Sequence, residues 1–357
     1  MTSLAQAVFI GSLVVTLLVV VLLVAVAVEH GARTRRLARD ARRRAELTPL
    51  VHALLDGDAG DEAAMTAAPA LLDELVLELL PQLRGADRTA LQSVLLDRGV
   101  VTRAAGDLTA RGAARRGRAA VLLGNAASVE HTGALVELLG DRAPEVRNAA
   151  ARALGKNGDA AAVGPLLAAV TAGQPLPPGV AGMALLDLGV AALPSLRAAL
   201  DAGFPVAQTL AAELLGLHGD PASTTTLIAL VGDDHRDPHA RRAAAQALGR
   251  IGSPVATAAL ADVLLGSGHA PLQCAAAEAL GRIGDAGGLR ALTTGLRCAP
   301  TVDVRGACAD ALALTGDAGH RQLVAHAQLR SATGEAARSA LDVLALSRRP
   351  ARQAAAA

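Results

Sequence analysis

The chain has 357 residues, a formal net charge of +1, and a composition that is 52% apolar but only 1% aromatic. Because Phe9 and Phe204 are the only aromatic residues, a core must consist of Ala, Leu and Val, which favours closely packed helices over a sheet. The balanced charge excludes a general nucleic-acid footprint, and the missing aromatic side chains remove the usual base-stacking platforms. Nearly all basic residues are Arg, with Lys156 as the single Lys, a usage typical of a GC-rich bacterial genome.

The first predicted element is a transmembrane helix over residues 7–28, which are 22 residues without a charge. A helix of that length rises roughly 33 Å, enough to cross a hydrocarbon core of about 30 Å. The alternative is a cleaved secretory signal, because Ala25-Val26-Ala27 resembles a small-x-small cleavage site. The apolar run is longer than a signal core of roughly 7 to 15 residues, and no basic side chain precedes it.

The flanks of this segment predict its orientation. Residues 1–6 carry no charged side chain, whereas residues 29–46 form a basic juxtamembrane segment. The positive-inside rule therefore predicts an extracytoplasmic N-terminus and a cytoplasmic C-terminal part, in a single-pass protein of the inner or plasma membrane. The same arginines could bind anionic lipid headgroups, or they could set the topology and nothing more. They are Arg33, Arg35, Arg36, Arg39, Arg42, Arg43 and Arg44.

Residues 47–116 are predicted to be helical without a repeat signature. Amphipathic runs such as ALLDELVLELLPQLR and RTALQSVLLDRG each predict a helix. We expect this region to cap the first exposed face of a repeat array, since terminal units need an atypical, partly polar side.

The second half of the chain copies itself. The run VRNAAARALGKNGD starts at Val146, and similar runs start at Ala207, Ala240, Leu272 and Val304. The glycines that end these copies are separated by 61, 33, 32 and 32 residues, so the first interval holds two units; they are Gly158, Gly219, Gly252, Gly284 and Gly316. The hidden unit is VAGMALLDLGVAA, which keeps Gly189 but lacks the second glycine.

Each copy has the periodicity of a core-facing helix, as Val146, Ala150 and Leu154 show. The terminal glycine suits the left-handed position that closes a helix. The residue after it is predicted to be the N-cap of the next helix. One unit is therefore a helical hairpin of about 30 residues that stacks on its neighbours. The predicted N-caps are Asp159, Asp220, Ser253, Asp285 and Asp317.

This pattern resembles the short HEAT repeat, the variety often named after phycobilisome lyases, with its signature V-R-x-x-A-A-x-A-L-G-x-I-G-D. The resemblance covers residues 117–346 and implies an all-α fold, an α-solenoid in which helical hairpins form a right-handed superhelix. It departs most at residues 171–183, where Pro175, Pro177 and Pro178 predict an extended connection or a bend. Residues 347–357 offer no core and are predicted to be disordered.

No constellation of catalytic residues is visible in the sequence, and no phosphate-binding glycine motif. His235 and His239 are four residues apart, but Pro238 places His235 in a turn, so no metal site is predicted. We therefore predict a protein that is not an enzyme and has no cofactor or metal. The cysteines form no CxxC pair and are expected to be small core residues; they are Cys274, Cys298 and Cys308.

The candidate partner-binding residues lie eight positions before the glycine of the Ala-Leu-Gly run, where stacking would align them in a ladder. Such a ladder could bind an acidic partner or phosphate. The alternative is that each arginine pairs with a carboxylate of the preceding turn, such as Asp141, Glu145, Asp234, Asp237 or Asp303. The candidates are Arg147, Arg241, Gln273 and Arg305.

The sequence thus predicts a membrane-anchored cytoplasmic scaffold or adaptor that binds protein partners through the concave face of a HEAT-repeat array. One alternative is an auxiliary subunit of a membrane-bound system for envelope polymer, beside a glycosyltransferase. Another, suggested only by the resemblance, is a bilin lyase-like enzyme. Against it stand the predicted anchor and the lack of aromatic side chains to cradle a tetrapyrrole.

Overall fold

The computed structural model describes residue 49 and residues 69–83, 85–201 and 204–354. The predicted N-terminus 1–6, the transmembrane helix 7–28 and the basic segment 29–46 with its seven arginines lie outside the described residues. Within the described part, no single helix is long and apolar enough to cross a membrane. The pair Pro178–Asp187 and Gly189–Asp201 meets the length and composition criteria only together, across a bend of 115°.

The chain divides into two compact units, Met1–Thr102 and Arg103–Ala357. The first is helical where it is described, with a buried apolar core that includes Leu72, Val76 and Leu91. This confirms the helical prediction for the described part of residues 47–116. The helices are α1 (Pro69–Leu79), followed by a 3-10 helix (Leu80–Gln82), α2 (Gly85–Asp97) and α3 (Val100–Asp107), which crosses the boundary.

In the second unit, helices alternate between two layers, and the described residues contain no strand. The first layer consists of the helices that carry the repeat pattern, here called signature helices, and consecutive signature helices contact each other. They are α4 (Ala113–Asn125), α6 (Pro144–Asn157), α8 (Pro178–Asp187), α10 (Pro205–His218), α12 (Pro238–Ile251), α14 (Ala270–Ile283), α16 (Val302–Leu314) and α18 (Ala332–Ala354).

The second layer consists of the helices between them. Several begin with a 3-10 turn directly after the terminal glycine. The helices are α5 (Thr132–Glu137), α7 (Val163–Ala169), α9 (Leu193–Asp201), α11 (Thr224–Gly232), α13 (Thr257–Gly266), α15 (Ala286–Cys298) and α17 (Gly316–Ala327). The prediction of stacked helical hairpins is confirmed.

The terminal glycines occupy the left-handed region, as predicted, with φ between 62° and 82° at all five. Gly189 joins them with φ 63°, so it is the terminal glycine of the hidden unit. The glycine that this unit lacks is therefore the one of the Ala-Leu-Gly run, whose place is taken by Leu186. In α4 the terminal position is Ala127, which has φ 51° despite its side chain.

The N-cap prediction is confirmed at two positions. Asp159 accepts a hydrogen bond from the Ala161 amide at 2.9 Å, and Asp285 accepts one from Gly288 at 2.7 Å. Asp220 and Ser253 also stand at the N-cap position, but their side chains make no cap bond, and Asp220 directs its carboxylate to Arg197 at 2.9 Å. The prediction is wrong at Asp317, which lies within the first turn of α17.

Signature helices pack through small residues. A Cβ atom on Gly249 would lie 2.6 Å from the Cα of Ala279, and one on Gly216 would lie 2.6 Å from the Cα of Ala247. Gly124, Gly155 and Gly281 face Ala153, Ala184 and Ala311 with equally little space. The Ala-Leu-Gly run therefore exists because its glycine lets the neighbouring backbone approach.

The α8–α10 junction departs from this rule. Leu186 stands where the glycine would be, and Leu214 stands where the facing alanine would be. The near contact is instead between Gly182 and the Cδ1 of Leu210, 3.2 Å from a Cβ placed on that glycine. Two leucines require more space than a glycine and an alanine, so α8 and α10 cannot pack as closely as the other pairs.

The structure refines three of the predicted boundaries. The first signature helix begins at Ala113, four residues before the predicted start of the array at 117. Residues 171–177 form a non-helical connection that bends at 171–174, and Pro178 begins α8. Helix α18 continues through residues 347–354, which the sequence assigned to a disordered tail; this stretch is rich in Ala and Arg, both good helix formers.

Candidate interaction face

The ladder residues lie in the first turn of the signature helices and reach back to the preceding helix. Arg241 Nε donates to the carbonyl of Val231 at 3.0 Å, Gln273 Nε2 to Leu264 at 2.8 Å, and Arg305 Nη1 to Ala299 at 2.5 Å. These carbonyls belong to helix ends, where the last C=O groups have no partner within the helix. Each ladder side chain therefore caps the helix before it.

Burial agrees with this capping role. Arg241 is 7% exposed and Gln273 is 5% exposed. Arg147 is half-buried, and its Nη1 donates to the carbonyl of Asp141 at 2.8 Å and to Gln174 Oε1 at 3.0 Å. The ion-pair alternative holds for Arg241, whose Nη1 lies 2.7 Å from Asp234. Arg147 and Arg305 bond to carbonyls instead, so partner binding by the four residues stays a prediction.

Sequence reasoning missed three members of the ladder. Arg116 Nη1 donates to Ala110 at 2.9 Å, Gln208 Nε2 to Leu200 at 2.9 Å, and Arg338 Nη1 to Ala327 at 2.6 Å, all backbone carbonyls. Counting back eight positions from Gly124 and Gly216 gives Arg116 and Gln208 directly. The same count along the sequence alone would have identified both residues.

Arg116 also makes a two-pronged ion pair. Its Nε and Nη2 donate to the two carboxylate oxygens of Asp141 at 2.7 and 2.8 Å. Both side chains are 8% exposed. The hydrogen bonds from Arg116 lower the pKa of Asp141 below its usual value, and the same bonds raise the pKa of Arg116.

The ladder has a gap at Pro178, which has no side-chain donor. In this unit the amide of Leu176 donates to the carbonyl of Ala169 at 2.9 Å. Ala169 is the last residue of α7, so a backbone amide of the proline-rich connection caps the helix that a ladder side chain would otherwise cap. Leu176 is also fully buried, which fixes the connection in place.

The solvent side of the signature helices, here called the signature face, carries two rows of side chains. Positions four residues apart share a helix side, and stacking aligns them from helix to helix. The first row is Val121, Arg152, Met183, Glu213, Gln246, Glu278 and Asp310; the second row is Asn125, Lys156, Asp187, Leu217, Arg250, Arg282 and Leu314.

Large apolar side chains are exposed on this face at the α8–α10 junction. Met183 and Leu217 are each 58% exposed, and Leu186 is 36% exposed. We call these three residues the apolar patch. No sequence reasoning predicted it, although the leucine at the usual glycine position was the signal.

Arginines surround the patch on the neighbouring signature helices. Arg152 is exposed on α6, Arg242 and Arg250 on α12, and Arg282 on α14. Within the described residues, none of these four guanidinium groups makes a hydrogen bond or ion pair with another side chain. Lys156 on α6 donates to Asn125 Oδ1 at 2.8 Å and is also exposed.

The cysteines and histidines show no organised site in the described part of the chain, where no group of three or more metal-ligating residues occurs. Cys308 is buried, as predicted, and burial raises its pKa to about 12. Cys274 is half-buried, and the core prediction is wrong for Cys298, which is exposed because it ends α15.

A family model described as HEAT repeats matches residues 110–179 and 193–271. The match agrees with the resemblance seen in the sequence. The interval between the two matches contains most of α8, the helix in which Leu186 replaces the usual glycine. No curated protein matches the sequence.

Solved structures with a similar course of the chain include human deoxyhypusine hydroxylase in complex with glycerol, at 23% identity over 76% of this chain and 94% of that one, with a TM-score of 0.31. The complex of CpcE and CpcF of phycocyanin lyase from Nostoc sp. has 23% identity, coverages of 63% and 92%, and a TM-score of 0.32. Kap95p bound to RanGDP has 12% identity, coverages of 76% and 44%, and a TM-score of 0.45. At these values the likeness says nothing about activity.

Proposed function

We propose that the chain is a membrane-anchored cytoplasmic scaffold that binds protein partners through the signature face. The HEAT repeats support the scaffold role, because stacked helical repeats expose long continuous surfaces that are typically used to bind other proteins. The anchor is proposed from the uncharged residues 7–28 and the arginines that follow them.

The observation that carries the proposal is the exposed apolar patch. In α6, α12 and α14 both rows hold charged or amide side chains, which water solvates well. In α8 and α10 they include Met183 and Leu217, each more than half exposed. A cluster of large apolar side chains surrounded by charged groups is the kind of surface that another protein covers.

The anchor would hold the protein at the membrane. Accessible partners would then be cytoplasmic proteins and the cytoplasmic parts of membrane enzymes. A membrane glycosyltransferase system for envelope polymer is one specialisation of this proposal, and a captured partner would identify it.

The face can be tested by site-specific crosslinking in cells. A photo-crosslinking amino acid at Thr209 or Gln246 lies on the signature face, and one at Arg290 lies exposed on second-layer helix α15. We expect discrete adducts from the two face positions and none of the same mass from Arg290. Adducts from Arg290 alone would place the partner on the second layer and overturn the assignment of the face.

The anchor needs a separate test. Deleting residues 7–28 should move the full-length tagged protein from the membrane pellet to the supernatant after carbonate extraction. If the intact protein is also in the supernatant, or is cleaved after Ala27, the proposed anchor is wrong.

A further inference from the structure

We infer that the segment bound by the signature face is an amphipathic peptide of a protein partner, with an apolar centre and acidic residues at both ends. This inference rests on the proposed function and names the chemistry of the partner. It follows from the apolar patch, from the unpaired arginines on either side of it, and from the distance between them.

The apolar centre combines the irregular junction with two row positions. With leucines at 186 and 214 in place of glycine and alanine, α8 and α10 pack less closely, and Leu186 is 36% exposed. Met183, one turn before it, and Leu217 at the end of α10 are apolar residues in the solvent-facing rows and extend the apolar surface. A partner that covers these three side chains removes their apolar surface from water, which favours binding.

The basic flanks lie on both sides of this centre. Arg152 and Lys156 project from α6, and Arg250 and Arg282 project from α12 and α14. The guanidinium groups have no ion-pair partner in the described part of the chain, so they can pair with carboxylates without breaking internal contacts. Asp187 and Glu213 adjoin the patch, and Glu278 and Asp310 lie further along the first row. Because the carboxylates of the first row would repel the acidic ends of the peptide, those ends lie along the second row.

The spacing defines the length of the segment. From α6 to α12 there are three helix-to-helix steps of about 8–10 Å, or roughly 25–30 Å in total. An extended peptide covers that distance with about nine residues, and a helix with about 18. Phosphate groups of lipid or nucleic acid would satisfy the arginines but leave the apolar patch in water, which favours the peptide.

The test uses the full-length chain in nanodiscs of neutral phosphatidylcholine, with empty nanodiscs as background. The probes are two fluorescent 18-residue helical peptides with the same leucine stripe, one with glutamates at both ends and one with lysines. Binding is measured by fluorescence anisotropy. We compare the wild type, M183D/L217D, R250E/R282E and the control R290E/R321E, which reverses two exposed arginines on second-layer helices.

We expect the wild type and R290E/R321E to bind the glutamate peptide about tenfold more tightly than the lysine peptide. M183D/L217D should lose binding of both by at least about tenfold. R250E/R282E should remove most of the preference, because only Arg152 and Lys156 remain to attract the glutamates. Equal affinity of the wild type for the two peptides, or an effect of R290E/R321E as large as that of R250E/R282E, would overturn the inference.

Vesicles that contain phosphatidylglycerol provide the competing outcome. If R250E/R282E abolishes vesicle binding while M183D/L217D does not, and no variant affects peptide binding, the face recognises lipid and the inference is wrong. Failure here is distinct from failure of the scaffold proposal, because crosslinked adducts from Thr209 or Gln246 would still show a protein partner of different chemistry on the signature face.

Discussion

The α12–α14 and α8–α10 junctions solve the same packing problem differently. At the first, Gly249 faces Ala279 so closely that a Cβ would lie 2.6 Å from the Cα of that alanine. At the second, Leu186 and Leu214 occupy the corresponding positions and keep the helices apart. At the regular junction Leu248 and Leu280 are fully buried, whereas at the irregular one Leu186 is 36% exposed.

The comparison teaches that one small-residue position in each repeat controls how closely two signature helices can pack. A repeat that keeps glycine packs tightly against its neighbour, as Gly249 does against Ala279. A repeat that loses it leaves the replacing side chain partly in water, as Leu186 shows, and another protein can gain buried area there. The departure from the repeat pattern is thus the most informative part of the sequence for function.

The largest expected effect is at the regular junction. Gly249→Ala should lower the free energy of unfolding by about 1–3 kcal/mol, because the new Cβ overlaps the backbone of α14. Urea unfolding followed by far-UV circular dichroism measures it. Gly117→Ala in α4 is the matched control: nothing lies within 4 Å of its Cβ, and the substitution should stabilise by about 0.5–1 kcal/mol. Equal shifts in both variants would refute the packing argument.

The next largest effect on stability is expected in the ladder, where it distinguishes a helix-capping role from a partner-binding role. Gln273→Leu should cost about 1–3 kcal/mol, because the buried carbonyl of Leu264 loses its donor. Gln273→Arg should retain most of the stability, since Arg241 caps the preceding helix from the equivalent position. A Gln273→Leu protein of unchanged stability that no longer forms partner crosslinks would instead support the predicted binding role of this ladder.

Two opposite substitutions at the terminal left-handed position should have smaller effects. Ala127→Gly should raise the free energy of unfolding by about 1 kcal/mol, because a residue with a Cβ is strained at φ 51°. Gly158→Ala, one repeat later at φ 82°, should lower it by a similar amount. Urea midpoints of the two variants should therefore move in opposite directions, and a shift in the same direction would contradict the equivalence of the two positions.

The smallest expected effect is a pH dependence of the free energy of unfolding, which comes from the ion pair of Arg116 and Asp141. Since Arg116 lowers the pKa of Asp141, the ionised carboxylate stabilises the fold above its unfolded-state pKa of about 3.9, and this contribution is lost as the pH falls through the lower folded-state value. The gap in urea midpoint between wild type and Asp141→Asn should be larger at about pH 6 than at about pH 3. A gap that does not change with pH would show that the charge of Asp141 contributes nothing.

Much of this fold was predictable because every repeat has the same short-range pattern of apolar residues and the same terminal glycine. Helical periodicity located the signature helices, and the terminal glycines located the ends of five of them. For the hidden unit, only the φ of 63° at Gly189 showed that this glycine is the terminal one. The N-caps were less predictable. Whether Asp220 caps its own helix or pairs with Arg197 depends on a side chain that comes from an earlier helix and is placed only by stacking.

The candidate site was predictable only in part. Counting from the Ala-Leu-Gly glycine gave the ladder but not its role, because the carbonyls that Arg241 and Gln273 cap lie on another helix. The apolar patch was not predicted, since an apolar residue in a helix is normally assigned to the core. Met183 is exposed because it stands in the first row on the solvent side of the signature helices, where Arg152 and Glu278 are exposed as well.

By itself, the sequence determined the helices, their order and their repeat length, because helix periodicity and left-handed glycines act within a few residues of the chain. The tertiary structure decided which small residues meet, which side chains cap neighbouring helices, and which leucines stay in water. These outcomes depend on distances between helices about 30 residues apart, and a single position such as 186 changes them without altering the helix in which it lies.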